Sequence, residues 1–164
     1  MDPFTVSAVI DAPRERVFAF LEDLANHPSF TNHYLVDWHL TREDPVGRGA
    51  GARFRVKAPG NRFSWCDVTF VEVERPRRIV EVGRGGKANR VRMVGVYELT
   101  EASPGSTKVS FTLQTEPATM SDRLMEAIGG RAWLKSRSAK ALRRLRAVLE
   151  GVERAGQRVT VASR

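Results

Sequence analysis

The feature that most constrains this chain is its last helical run, from Ser121 to about Gly151. Leu124, Ile128, Ala132, Ala139, Leu142, Leu145, Leu149 and Val152 recur mostly at steps of three and four, and Lys135 and Ser136 fill the one gap. That spacing lines them along one side of an α-helix. Arg131, Lys135, Lys140, Arg143, Arg144 and Arg146 lie mostly off the stripe. An amphipathic helix is held mainly by burying its apolar face against another element. What precedes it reads mostly as strands, so the expected architecture is a sheet wrapped around one long terminal helix. Gly129 and Gly130 interrupt the run, at a cost of about 1–2 kcal/mol together relative to alanine. They predict a kink, a close approach by loops, or a flexible gate.

Phe4, Val6, Ala8 and Ile10 alternate with polar neighbours and predict a first strand. Asp11 is placed to cap a helix and Pro13 suits its first turn. Val17, Phe18, Leu21 and Leu24 carry helical spacing, and a second short helix or turn is expected over about Pro28 to Asn32. Val36, Trp38 and Leu40 mark a second strand. Strands follow over 52–57, 62–74, 76–83, 91–100 and 108–115. The turns between them are Pro59-Gly60-Asn61, Arg84 to Lys87 and Ala102 to Ser106. Within 62–74 the apolar face changes, which predicts a bulge or strong bend near Cys66-Asp67. Thr119 or Ser121 is placed to cap the long helix. The fold class is α+β, with a mostly antiparallel sheet of about seven strands and two short helices between strands one and two.

The 164 residues suit one domain, expected over 1–155, with a short basic tail over 156–164 that is expected to fray. Hydrophobic residues make up 41%, too many for a disordered chain. There is no membrane-spanning apolar run and no secretory leader pattern, so a cytoplasmic location is the default expectation. Basic and acidic residues balance over 1–130, and the net charge of +8 resides in residues 131–164. That charge reads as a solvated helix face, or as a surface for anionic membrane or an acidic protein through Arg131, Lys135, Lys140, Arg143, Arg144 and Arg146. Nucleic acid is the weakest partner, because interleaved aromatics and groove-reading motifs are lacking.

The order of elements resembles the helix-grip fold of the START-like superfamily, which includes polyketide cyclase/dehydrase and lipid-transport proteins. Three stretches carry the resemblance. Val9 to Phe20 (VIDAPRERVFAF) looks like the family's strand, D/N-A-P, helix entry. Val46 to Phe54 (VGRGAGARF) looks like its Gly-rich approach to strand three. Glu72 to Ile79 (EVERPRRI) looks like its strand-turn-strand. The resemblance spans about residues 4–150 and implies a curved sheet gripping the last helix around a cavity. It does not by itself imply an activity.

Phe30, Tyr34, Trp38, Trp65, Met93, Tyr97 and Trp133 are the expected cavity lining, for a lipid, quinone or polyketide-like guest. Phe111 is a further large side chain that either lines or fills the space. The rival reading is an aromatase/cyclase-type enzyme that needs an acid and a base in a dry pocket. Asp67, Tyr97 and His33 are its candidates, although no cluster of inward polar residues stands out. Asp67 itself is expected to face outward if the strand bends. His27, His33 and His39 are not spaced to favour convergence on a metal ion. Cys66 reads as an inert buried thiol. Gly47, Gly49 and Gly51 precede a strand, not a helix, and read as turn chemistry, so no cofactor is expected.

Overall fold

The computed structural model describes residues 2–58, 62–86, 89–117, 119–120 and 129–151, without the side chains of Arg62 and Phe63. Strand β1 (Phe4–Ile10) leads into α1 (Arg14–Leu21), a 3-10 turn (Leu24–Asn26) and α2 (Pro28–Thr31). Six strands follow: β2 (Leu35–Leu40), β3 (Gly51–Ala58), β4 (Arg62–Glu74), β5 (Arg78–Gly85), β6 (Val91–Ser103) and β7 (Ser106–Glu116). Helix α3 (Arg131–Leu149) comes last. The strands form one antiparallel sheet in the order β1-β7-β6-β5-β4-β3-β2. Its edges, β1 and β2, are joined by the segment carrying α1 and α2. The sheet curls, and α3 packs along β1 and α2. This is the expected helix-grip arrangement.

Alternation decides which face is concave. On β1, Phe4, Val6 and Ile10 are buried while Thr5, Ser7 and Val9 are exposed. Their partners on β7 are Leu113, Phe111 and Thr107, all buried. The same parity continues through Met93, Gly95, Tyr97 and Leu99 on β6 to Ile79, Glu81, Gly83 and Gly85 on β5. From α3, Ser138, Ala141, Leu142, Leu145 and Leu149 complete the interior at helical spacing. Each fully buried leucine contributes on the order of 2 kcal/mol over an exposed one.

Several boundaries differ from expectation, each for a local reason. Asp11 does not cap α1. Its backbone N–H donates to Glu150 Oε1 at 2.9 Å, and its carboxylate accepts from Ser106 Oγ at 3.1 Å, tying the end of β1 to the end of α3. Helix α1 stops at Leu21, and Asp23 accepts from the Ala25 N–H to start the 3-10 turn that holds Leu24. The irregularity in β4 falls between Phe70 and Glu72, not at Cys66-Asp67. A second one in β2, where Asp37 takes φ 54°, leaves Trp38 and Leu40 inward and turns Val36 to the other face. Strand β5 begins at Arg78 and runs to Gly85, because Arg75, Pro76 and Arg77 form the turn before it, closed by the Arg77 N–H on the Glu74 carbonyl at 2.7 Å.

Gly129 has φ +109°, a conformation a right-handed helix does not contain, so regular α-helix begins only at Arg131. Residues 121–128, with Leu124, Ile128 and the capping candidate Ser121, lie outside the described residues. So do the Pro59-Gly60-Asn61 turn, Lys87 and the tail after Gly151. At its other end α3 closes on Gly151 at φ +76°, a left-handed C-terminal glycine. Arg16 donates to the Leu149 carbonyl at 3.0 Å and occupies one of the carbonyls a helix end leaves open.

Candidate functional site

The interior is not filled evenly. On the concave face Trp38, Val56, Glu81 and Met93 are only half-buried, and so are Trp133 and Leu134 on the first turn of α3. Phe18, Leu21, Ile79, Leu99, Val109 and Leu145 are enclosed at the opposite end of the interior. The sheet beneath these half-buried side chains carries few side chains of its own. The inward positions of β5 beyond Glu81 are Gly83 and Gly85, and β6 places Gly95 opposite Glu81. No side chain rises from the sheet at these three positions.

Glu81 is the chemically distinctive group. It sits on the central strand, faces the interior, and is flanked across the sheet by Phe70 and Gly95. Loss of hydration pushes its carboxyl up to about 7. Among the described residues no hydrogen bond or ion pair reaches that carboxyl. Its charge acts instead on three weak acids, the Tyr34 and Tyr97 hydroxyls and the Cys66 thiol. Burial foremost, with Glu81 adding to it, holds all three well above their ordinary pKa values, so they stay neutral. The Cys66 Sγ lies 3.3 Å from Met93 Sδ. Ser138 of α3 is buried, and its hydroxyl meets that of Tyr34.

Aromatic rings wall this space. Tyr97 stacks on Phe111 at 4.5 Å between centroids and meets His27 edge-on at 6.2 Å. Tyr34 meets Trp133 edge-on at 6.2 Å, and Trp38 lies 4.5 Å from Phe54. His27 is wholly buried, and its Nε2 lies 2.8 Å from the Leu21 carbonyl. Burial lowers its pKa to about 4, so at neutral pH the ring is uncharged and donates that bond.

The structure brings together Tyr34, Trp38, Met93, Tyr97 and Trp133 from the expected lining. It places the other candidates elsewhere. Trp65 is on the convex face, 40% exposed, with Arg53 at 4.9 Å and Arg55 at 5.7 Å from its ring. β4 alternation sends Cys66 inward and therefore Trp65 and Asp67 outward. Asp67 pairs with Arg53 at 3.6 Å and accepts from Asn89 at 3.4 Å. Phe30 is 1% exposed, enclosed beside His27 and Phe20, and presents no open surface. His33 joins α2 to α3, with its Nε2 3.2 Å from the Arg137 carbonyl.

Three of the six basic helix residues have partners inside the molecule. Arg131 donates to the Asp2 and Pro3 carbonyls, Arg144 to Asn32 Oδ1 at 2.6 Å, and Arg146 to Glu150 at 3.1 Å. Lys135, Lys140 and Arg143 are exposed.

Glu81 was missed because its strand, Ile79-Val80-Glu81-Val82, is apolar on both sides and does not reveal which face the carboxyl takes. The signal that could have found it is parity with Ile79, together with a glycine on the neighbouring strand.

The family model described as polyketide cyclase / dehydrase and lipid transport matches residues 1–150. No functionally curated protein matches the sequence. Among solved structures the chain is similar to the KanY protein (TM-score 0.72, 16% identity, 90% of this chain and 96% of that one). It is similar to a protein from Thermus thermophilus (TM-score 0.70, 14% identity, 92% and 99%). It also resembles ginseng major latex-like protein 151 from Panax ginseng (TM-score 0.67, 13% identity, 88% and 95%). At such identities these likenesses speak for the fold alone.

Proposed function

Because the chain belongs to the polyketide cyclase/dehydrase and lipid-transport family, we propose that it binds a small, largely apolar molecule between the concave face of the sheet and α3. The observation that carries this is the row of half-buried side chains there, set around one interior carboxyl. Contact with Trp38, Met93, Tyr97 and Trp133 supplies affinity at about 25 cal/mol per Å² of apolar surface removed from water. Tyr34, Glu81 and Ser138 supply orientation. Native mass spectrometry of the purified protein, followed by titration with lipids, quinones and polyphenols, tests it. A retained or saturably bound species is expected; no bound species across the panel counts against the proposal.

A second reading is favoured by one observation, the Glu81 carboxyl with its pKa near 7 beside two neutral phenols. That pairing suits proton abstraction next to a carbonyl, with a tyrosine hydroxyl steadying the developing oxyanion, as aldol closure of a polyketide requires. Glu81 replaces the outward-facing Asp67 as the base. With a linear poly-β-ketone substrate the rate is expected to rise with pH through about 7, and Glu81→Gln to slow it at least about a hundredfold. An unchanged rate in the variant removes Glu81 from the chemistry.

A further inference from the structure

The guest's polar character can be read from what surrounds Glu81. The carboxyl stands mid-strand on the innermost strand of the sheet, with three strands on either side. No arginine or lysine approaches it among the described residues. The titratable groups that face it are Tyr34, from the segment between α2 and β2, Cys66 of β4 and Tyr97 of β6. All three are acids held neutral, and none can neutralise a carboxylate. His27, in the same aromatic wall, is also uncharged at neutral pH. From α3 the Ser138 hydroxyl meets Tyr34 rather than the carboxyl. The α3 cation beside this region, Arg137, lies over the Trp133 ring at 5.7 Å.

An interior carboxylate without a counter-ion is costly, and the cost falls when a positive charge enters with the guest. The walls suit the same charge. Tyr34, Tyr97 and Trp133 border the region, and aromatic rings attract cations, as the Arg137 guanidinium over Trp133 does here; aromatic surroundings of this kind take organic ammonium groups. A carboxylate-bearing guest would meet Glu81 as a like charge. From this geometry we infer that the interior takes an apolar molecule carrying one protonated amine, the ammonium lodged against Glu81 and the apolar body between Met93 and Trp133. The inference rests on the interior-binding function proposed above and narrows it to a ligand class.

Calorimetric titration of the full chain at pH 8 with three matched probes, 4-phenylbutylamine, 4-phenylbutan-1-ol and 4-phenylbutyrate, tests it. The amine is expected to bind at least about tenfold more tightly than the alcohol, and the carboxylate most weakly. In Glu81→Gln the amine should fall to the level of the alcohol, with the alcohol's affinity unchanged within about twofold. Gly95→Ala, which keeps the carboxyl but displaces it, should narrow the same gap and stands in if Glu81→Gln does not fold. Equal affinity of amine and alcohol in the parent chain overturns the inference and leaves the interior-binding function standing. So does an amine preference that survives in both variants. Failure of all three probes to bind counts against the interior site itself.

Discussion

Glu81 and Gly95 face one another across β5 and β6, and the glutamate side chain occupies the space a β-carbon on residue 95 would need. A Cβ built there lies 2.5 Å from Glu81 Oε1 and 2.7 Å from its Cγ. The missing side chain on one strand therefore shapes where the carboxyl on the next can lie.

Gly95→Ala is expected to push the glutamate aside, at about 1–3 kcal/mol of stability. Glu81→Ala in the same background should recover most of that loss, which a double-mutant cycle in urea measures. Gly83→Ala should cost more. Its Cβ would meet the Asp67 backbone carbonyl, which cannot swing away as a side chain can. If Gly83→Ala is the milder change, the account of these glycines as close-approach sites is wrong.

Stability should respond to pH through two buried groups of opposite sign. Glu81 rises from 4.5 to about 7 on folding. The native state therefore holds its proton more tightly, and the stabilisation, roughly 3 kcal/mol, is complete below pH 4.5 and lost as pH rises through 7. His27 falls from 6.5 to about 4. Its contribution, also roughly 3 kcal/mol, is complete above pH 6.5 and lost as pH falls through 4. Between about 4.5 and 6.5 the two slopes oppose each other. Glu81→Gln should therefore expose the histidine and make the protein lose stability on acidification through that window faster than the parent. Urea denaturation at half-unit pH steps reads the difference directly; parallel profiles for parent and variant would show that Glu81 has no raised pKa.

The parts of this molecule legible from the chain are those where one period dominates. Phe4, Val6 and Ile10 on β1, and Leu142, Leu145 and Leu149 on α3, each follow a single repeat, and each is buried as that repeat requires. The interior site was half legible. Tyr34, Trp38, Met93, Tyr97 and Trp133 announced themselves by size, but size does not give direction. Trp65 is as large as Trp133 and points the other way, because strand parity places Cys66 inward beside Gly85. Glu81 was illegible for the converse reason: its importance comes from Gly95, Tyr34 and Tyr97, which only register and the α2–β2 connection bring to it. The Phe70/Glu72 irregularity was misplaced because an apolar run on both faces of β4 hides where the count slips.

Thr107 should behave as a buried structural hydroxyl. It is wholly enclosed and donates to the Ala12 carbonyl at 2.7 Å, holding the start of β7 against the β1–α1 corner. Thr107→Val preserves the shape and strands that carbonyl, so a loss of about 1–3 kcal/mol is expected. Thr107→Ser keeps the donor and should cost less. Thermal or urea denaturation of the two variants decides it, and a valine variant as stable as the serine one would show that the bond contributes nothing.

The three tryptophans offer a readout of which face a guest occupies. Trp38 and Trp133 belong to the concave side, Trp38 against Phe54 and Trp133 between Tyr34 and Arg137. Trp65 belongs to the convex side, between Arg53 and Arg55. In chains that keep one tryptophan and carry phenylalanine at the other two positions, a saturating apolar guest should change the emission of Trp133 and shield it from acrylamide. The emission of Trp65 should stay as it was. Both effects follow from position alone, since the sheet stands between Trp65 and the interior. A response confined to Trp65 would move the binding surface to the arginine-flanked outer face and end the case for an interior guest.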